Sequence, residues 1–139
     1  EYAESWGIYM QLTNILRDVA EDIERDRIYL PIEDLNRFGI SEKDLKNGKD
    51  ILKHPGWKPF VKEYIKRADK YRERGMKLFP LLDKSSRYSP AAMTTFYHSI
   101  MKKIEKNDGD VFSQRTQLSK TEKIGLAAYI YVRFRFFAL

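Results

Sequence analysis

The chain has 139 residues, 42% of them hydrophobic and 14% aromatic, which is enough apolar material for one buried core and excludes a disordered chain. It contains no cysteine, so disulfides and thiolate metal sites are excluded. The longest apolar run, IGLAAYIYV at residues 124–132, is too short to cross a bilayer as a helix. We therefore expect a globular, cytoplasmic protein of at most one domain.

The net charge of +6 is unevenly distributed. Residues 1–40 carry nine acidic and four basic side chains, whereas residues 41–139 carry eleven acidic and twenty-two basic ones. A basic balance is compatible with nucleic-acid binding, but the lysines are spread over helix-like segments without an arginine cluster or a known binding motif. We therefore expect solvated helix faces and no nucleic-acid partner.

The first predicted helix runs from near Glu1 to about Asp26. Since the chain has no initiator methionine and begins inside this helix, we expect it to be part of a longer protein. The pattern then predicts two short helices, PIEDLNRFGI and SEKDLKNG, each ended by a glycine and the second capped by Ser41.

The remaining segments are also helix-like, so the predicted class is all-α. After a loop, KHPGWKP, a long helix is predicted from about Pro59 to Phe79. Its predicted buried side comprises Phe60, Tyr64, Ile65, Ala68, Tyr71 and Leu78. Another helix is predicted over 89–106, and the last begins at the capping box formed by Ser119 and Glu122. Its end, YVRFRFF, alternates polar and apolar residues, which favours a strand or a frayed helix end there.

The first helix has two faces of different chemistry. At about 100° per residue, the apolar stripe predicted to face the core comprises Ile8, Leu12, Ile15, Leu16, Val19 and Ile23. A separate polar arc comprises Gln11, Asn14, Asp18, Glu21, Asp22 and Arg25. Toward the N-terminus this arc continues into small or apolar residues, namely Ala3, Gly7 and Met10. Such a face suits a ligand with an apolar tail and a charged head. An ordinary solvated face is the alternative, although Asn and Asp are less favourable inside helices than Glu, Lys or Gln.

The carboxylates on this face are spaced for metal binding. Asp18 and Asp22 lie one turn apart, about 6 Å, and can share a hard cation. Mg²⁺ takes one or two protein carboxylates and completes its shell with water and phosphate oxygens. Asn14, one turn earlier, adds a neutral oxygen. Three nearby guanidinium groups suit phosphate oxygens: Arg17, Arg25 and Arg27.

Three segments carry a resemblance to a known family. QLTNILRDVAEDIERDRIYLP, residues 11–31, closely resembles the second aspartate-rich motif of the squalene/phytoene synthases, with its N-x-x-R-D-x-x-E-D core. ADKYRERGMKLFP, residues 68–80, is similar to the family's A-x-x-Y-x-x-x-G helix, and IEKNDGDVFSQRTQLSKTEKIGLAAY, residues 104–129, to its DVF…R…K region. The resemblance implies the all-α isoprenoid (terpenoid) synthase helical bundle. Residues 1–139 would form the C-terminal part of a single domain, roughly its C-terminal half.

The resemblance also implies an activity, a Mg²⁺-dependent prenyltransferase reaction. Two prenyl diphosphates, farnesyl or geranylgeranyl, would condense head-to-head to a squalene-, dehydrosqualene- or phytoene-type product with release of diphosphate. One substrate loses diphosphate to give an allylic cation. Attack by the second gives a cyclopropyl diphosphate, which ionises and rearranges.

The family's roles can be assigned to the matching positions of this chain. Asp18 and Asp22 would bind Mg²⁺ with help from Asn14. The residues that would contact the diphosphate and its metal shell are Gln11, Arg17, Arg27, Tyr29, Tyr97 and Arg115. Tyr97 could also face the carbocation. Ala3, Gly7 and Met10 would line the channel for the prenyl tail.

One feature of the family is absent from the chain, namely the first aspartate-rich motif, which faces the second across the cavity. The N-terminal half of the same enzyme would supply it. We therefore expect the 139-residue chain alone to be inactive or nearly so.

Two other functions remain open. A phosphatase of the same fold would let water capture the cation and give a prenyl alcohol, and a non-catalytic helical module would bind partners through its basic surface. The basic last helix is either a terminal core helix or a peripheral contact with a membrane surface.

Overall fold

The computed structural model describes the backbone of residues 1–136 and the side chains of residues 1–133. These residues form an all-α fold in which no strand occurs. The α-helices are α1 (Tyr2–Arg17), α2 (Val19–Glu24), α3 (Ile32–Arg37), α4 (Glu42–Lys46), α5 (Trp57–Met76), α6 (Tyr88–Lys106) and α7 (Lys120–Phe136). Short 3₁₀ helices span Gly48–Lys53, Phe79–Leu81 and Lys84–Ser86. α1 packs along α5 and α6, and α7 packs on α6.

The predicted end signals of the short helices are confirmed. The Ser41 hydroxyl accepts a hydrogen bond from the Asp44 N–H at 3.1 Å, and the Asp44 carboxylate accepts one from the Ser41 N–H at 2.9 Å. Gly39 and Gly48 follow α3 and α4 with φ of 71° and 63°, a conformation that glycine adopts without strain. α5 begins at Trp57, inside the predicted loop, because a proline at position 59 is tolerated in the first turn of a helix.

The first predicted helix is two helices, which corrects the prediction of one continuous helix to Asp26. The break lies at Asp18, which has φ −100° and ψ 9°. The Asp18 N–H still donates to the Asn14 carbonyl at 2.9 Å, so the change of direction is small. The second piece ends at Glu24, and Asp26 adopts φ 54°, the left-handed region in which helices do not continue.

The side of α1 that faces the core also differs from the prediction. The buried residues are Ser5, Tyr9, Thr13 and Leu16, followed by Val19 in α2. The predicted core residues that remain only partly buried are Ile8, Leu12, Ile15 and Ile23. The buried face is thus rotated by roughly 50° from the apolar stripe, at about 100° per residue. Hydroxyl groups are tolerated there because helix carbonyls accept their hydrogen bonds. Thr13 Oγ1 donates to the Tyr9 carbonyl at 3.0 Å, and Ser5 Oγ donates to the Glu1 carbonyl at 3.0 Å.

α1 and α5 approach each other closely at Gly75, the glycine of the A-x-x-Y-x-x-x-G segment. A Cβ placed on Gly75 would lie 2.7 Å from the Trp6 Cα and 2.8 Å from the Trp6 N. Ala68, two turns earlier on α5, is fully buried. The missing side chain at Gly75 therefore allows the two helix backbones to touch.

The connection from α6 to α7 has no regular secondary structure but is anchored to the core. Trp57 is fully buried and donates its indole N–H to the Gly109 carbonyl at 3.0 Å. The Phe112 ring packs on the Trp57 ring at 5.6 Å between centroids. These contacts bring the second half of the connection, residues 113–118, back toward α1.

α7 begins at the predicted capping box and continues toward the C-terminus, as predicted. The Ser119 N–H donates to the Glu122 carboxylate at 2.6 Å, and the Glu122 N–H donates to Ser119 Oγ at 3.1 Å, which confirms the capping box. The helix continues to Phe136, so the prediction of a strand at YVRFRFF is wrong for residues 131–136, and Phe137 lies outside the described residues. Among the described helices, none combines the length and the apolar character that crossing a bilayer requires.

Candidate functional site

The polar face of α1 and α2 keeps its register through the break. The Asp18 N–H donates to the Asn14 carbonyl and the Asp22 N–H to the Asp18 carbonyl, each at 2.9 Å. Since helical hydrogen bonding continues across the break, the three side chains lie one turn apart along one face, as predicted.

Asp18 is bound by two arginines, its chain neighbour Arg17 and the distant Arg115. Arg17 binds it in a two-pronged geometry, with Nε 2.7 Å from Oδ1 and Nη2 2.6 Å from Oδ2. Arg115, in the connection before α7, places its Nε 3.0 Å from Asp18 Oδ1 and 3.2 Å from Glu21 Oε1. The structure therefore brings together two residues predicted to contact diphosphate and one predicted to bind metal.

These contacts keep Asp18 ionised. Burial opposes its ionisation, but the hydrogen bonds from Arg17 and Arg115 outweigh burial and hold the pKa of this carboxyl below its ordinary value. The pKa of Arg17 is raised above its ordinary value, chiefly by the hydrogen bond to Asp18 and further by the neighbouring Tyr97 and Glu21. Asp18 and Arg17 therefore both stay charged at neutral pH.

A cavity of about 410 Å³ opens beside this cluster. Its charged walls are Arg17, Arg115 and Lys123, and its apolar walls are Phe96, Ile100 and Leu118. Among the described side chains, no carboxylate lies within ion-pair distance of Lys123. A small cavity with three cations and an apolar wall suits a multiply charged anion attached to an apolar group.

Tyr97 lies on α6, half-buried against the core, near Arg17. The two predicted contacts Arg27 and Tyr29 lie elsewhere: they line a narrow depression of about 10 Å³ together with Asp22. Asp18 and Asp22 therefore have different basic neighbours, Asp18 on the side of the large cavity and Asp22 beside the segment that leaves α2.

The face of α1 that was predicted to contact the prenyl tail is largely exposed in the part of the chain that the structure describes. Ala3, Gly7 and Gln11 are exposed, and Met10 is partly buried. A Cβ added to Gly7 would meet no atom within 4 Å. Small side chains along this face leave an unfilled surface that leads toward Asp18.

This face carries oxygen donors of the kind that a hard divalent cation takes. Among the described residues, no group of three or more His, Cys, Asp or Glu side chains could hold a metal ion. Two carboxylates and one amide oxygen on one face are instead the donor set of a Mg²⁺ ion that keeps water and phosphate oxygens in its shell. Asn14, Asp18 and Asp22 could supply those donors.

Two residues of the site were missed by the sequence reasoning. Glu21 was placed on the polar arc without a role, yet it shares Arg115 with Asp18. Lys123 lies in the first turn of α7, and its distance along the chain from the first helix gave no sign of its position. The capping box was the available signal, because it fixes where α7 begins and so which lysine faces the cavity.

Comparisons with known proteins identify the family of the chain. The squalene/phytoene synthase family model matches residues 1–122. The chain is 40% identical over 131 residues to a chloroplastic phytoene synthase of an Oncidium hybrid cultivar, covering 94% of this chain and 31% of the relative. It is 40% identical over 124 residues to the 15-cis-phytoene synthase of Synechocystis sp., covering 89% of this chain and 36% of the relative.

A solved structure supports the same likeness. The chain resembles a dehydrosqualene synthase, crystallised in complex with a ligand, with a TM-score of 0.82 and 29% identity over 96% of this chain. The match covers 46% of that protein, and the chain spans about a third of the length of the two phytoene synthases.

Proposed function

This chain belongs to the squalene/phytoene synthase family, and we propose on that premise that it forms part of an enzyme that condenses two prenyl diphosphates head-to-head and releases diphosphate. The substrate is farnesyl or geranylgeranyl diphosphate, and the product is of the squalene, dehydrosqualene or phytoene type. The fold that carries the site is the all-α isoprenoid synthase fold.

One observation supports this proposal above the others. Asp18 is bound by two of the cations that line a cavity, Arg17 and Arg115, and it follows an open face of small and apolar residues along the helix. The two surfaces match the two ends of a prenyl diphosphate. A module that bound partners only through surface lysines would not require this junction.

The residues of the site have distinct roles in the proposed reaction. Asp18 and Asp22, with Asn14, would hold Mg²⁺, which when bound neutralises diphosphate charge and helps the leaving group depart. Arg17, Arg115 and Lys123 bind the diphosphate oxygens. When the carbon–oxygen bond breaks, its electron pair leaves with diphosphate, and these cations stabilise the added negative charge.

The apolar side of the site contacts the allylic carbocation that remains after diphosphate has left. Ala3, Gly7 and Met10 orient the tail, and the partly buried Tyr97 offers its aromatic ring to the positive charge. Gln11 is exposed on the same face, whereas Arg27 and Tyr29 are exposed beside Asp22. We assign them to the shell around diphosphate and metal.

A phosphatase that releases a prenyl alcohol uses the same charged cluster and remains the second candidate. It differs in what captures the cation, water or a second substrate. The N-terminal half of the enzyme, with the first aspartate-rich motif, is the proposed intramolecular partner, and its contribution would close the open face of α1.

The experiment uses the protein at its full natural length. Asp18→Asn and Asp22→Asn should each lower turnover of a prenyl diphosphate by several orders of magnitude while helicity stays unchanged. Asp50→Asn is the matched control, because Asp50 is exposed and, among the residues that the structure describes, pairs with Lys53 alone. Near-normal turnover in both site variants would refute the metal role. Mass spectrometry of the product distinguishes the reactions, because a prenyl alcohol alone would refute condensation.

A further inference from the structure

A lysine side chain on α6, Lys103, binds the start of α7. Its Nζ donates to the Gln117 carbonyl at 3.1 Å and to the two Glu122 carboxylate oxygens at 3.1 Å and 3.0 Å. Gln117 lies in the connection before α7, and Glu122 lies in the first turn of α7. The ammonium group of Lys103 therefore joins the end of the connection and the first turn of α7 to one point on α6.

The Glu122 carboxylate that Lys103 binds is also the one that completes the capping box of α7. Its Oε2 accepts the Ser119 N–H at 2.6 Å and the Lys103 ammonium at 3.0 Å. The Ser119 N–H and then Lys103 lower the pKa of Glu122 to about 2, so this carboxylate is ionised at neutral pH. The cap of α7 and the contact between α7 and α6 thus share one ionised group.

Lys103 continues the face of α6 that forms the apolar wall of the 410 Å³ cavity. Phe96, Ile100 and Lys103 are spaced so that they lie on one side of the helix. Phe96 and Ile100 line the cavity, as do Gln117 and Lys123 from the opposite segment, whereas Lys103 is not among the described lining residues. Lys103 therefore affects a ligand in the cavity through the residues that it binds.

Two of the cations that line the cavity are held in different ways. Arg115 is fixed by two carboxylates, since its Nε lies 3.0 Å from Asp18 Oδ1 and 3.2 Å from Glu21 Oε1. Among the described side chains, no carboxylate lies within ion-pair distance of Lys123, and a lysine ammonium sits on a flexible four-carbon stem. The position of the Lys123 ammonium therefore depends on where the first turn of α7 lies.

We propose that Lys103 is a positioning residue for the diphosphate site, because it fixes the first turn of α7 and so directs Lys123 into the cavity. This inference rests on the proposed function, in which Lys123 binds diphosphate oxygens. An exposed ion pair without any role at the site is the alternative. The two interpretations differ in one consequence, since only the proposal connects the Lys103 side chain with the affinity for diphosphate.

The test measures the affinity of the protein at its full natural length for inorganic diphosphate with Mg²⁺, by isothermal titration calorimetry. K103M removes the hydrogen bonds from Lys103 and keeps a long, unbranched side chain of high helix propensity. It should bind diphosphate about tenfold more weakly, which is less than the roughly 100-fold that a misplacement of about 1 Å can cost in catalysis, because Arg17 and Arg115 stay in place. K103R keeps the charge and several donors and should bind within about threefold of the parent.

The neighbouring Lys102 offers a matched control. Its Nζ pairs with Glu105 at 2.8 Å, and both residues lie on α6, so this ion pair does not reach α7. K102M removes the same charge and a comparable exposed ion pair. It should bind diphosphate within about twofold of the parent, since exposed ion pairs contribute little by themselves.

A double variant shows whether Lys103 acts through Lys123. K123Q alone should weaken diphosphate binding, and K103M should then weaken it further by less than about twofold, because residues that act through one another are not additive. Unchanged binding by K103M, equal losses in K102M and K103M, no recovery in K103R, or a full additional loss in the double variant would each overturn the inference. The proposed function survives these outcomes as long as K123Q weakens binding. If K123Q binds diphosphate as the parent does, the proposed role of Lys123 is wrong and the inference about Lys103 is refuted with it.

Discussion

Replacing Gly75 by alanine tests whether the contact between the α1 and α5 backbones sets the position of the candidate site. The added Cβ would lie 2.7 Å from the Trp6 Cα, a distance that real Cβ atoms essentially never show. Its other near neighbours are the Trp6 backbone N and Cβ, each at 2.8 Å. None of these atoms belongs to the flexible end of a side chain, so relief requires that the two helices move apart.

Two opposing effects decide the magnitude. Alanine in place of glycine inside a helix favours folding by about 1 kcal/mol, whereas overpacking a well-filled contact costs about 1–3 kcal/mol. Because the clash involves backbone, we expect the upper part of that range and a net loss of about 1–2 kcal/mol. Gly125→Ala on α7 is the matched control, since its Cβ would meet no atom within 4 Å. The free energy of unfolding of Gly125→Ala should rise by up to about 1 kcal/mol.

Urea unfolding of the full-length protein measures both values from the change in midpoint at constant slope. The two variants should move in opposite directions, Gly75→Ala to lower and Gly125→Ala to higher urea. If Gly75→Ala is as stable as the parent, or more stable, the close approach of α1 and α5 does not exist as described.

Three further outcomes are expected. Arg115→Gln should raise the pKa of the Asp18 carboxyl toward its ordinary value of 3.8. A carboxyl whose pKa is lowered in the folded state adds stability above its ordinary pKa, and this stability is lost as the pH falls through the folded pKa. The difference in stability between parent and variant should therefore vanish at acidic pH below 3.8. NMR titration measures the pKa, and acid unfolding measures the stability. Gly7→Leu should not destabilise the fold and should gain up to about 1 kcal/mol, because its surroundings are open and leucine has the higher helix propensity. It should nevertheless lower turnover of a prenyl diphosphate or shorten the accepted chain, and equal turnover with all chain lengths would contradict the tail assignment. Trp57→Phe should lower the free energy of unfolding, measured in urea, by about 2–3 kcal/mol, because the buried Gly109 carbonyl loses its donor. A loss under about 0.5 kcal/mol would show that this hydrogen bond does not anchor the connection.

The helices and the charged face could be predicted because their signals are local. The capping boxes at Ser41 and Ser119 depend on residues three positions apart, and the i, i+4 spacing of Asp18 and Asp22 survives even where the helix breaks. Such features need no knowledge of distant residues. They are therefore recovered wherever tertiary packing agrees with local preference.

The parts that were wrong, or that the sequence could not establish, depend on packing between segments far apart in sequence. Thr13 was not among the predicted core residues, yet it is buried, with its hydroxyl bonded to a carbonyl one turn earlier. Arg115 meets Asp18 across 97 positions, a register that the sequence of the irregular connection left uncertain. Lys123 lies at the site because the same connection places the start of α7 beside the cavity. The role of Gly75 was likewise invisible until the opposing backbone was known.

The two tryptophans give this chain a pair of internal optical reporters. Trp57 senses the connection before α7 through its hydrogen bond to the Gly109 carbonyl, whereas the Trp6 indole donates to Thr94 Oγ1 at 2.7 Å and so senses the separation of α1 from α6. A protein that unfolds in a single cooperative step must show the same transition at both rings. If the Trp6 signal changes first, the junction that orients the proposed tail face opens before the core melts.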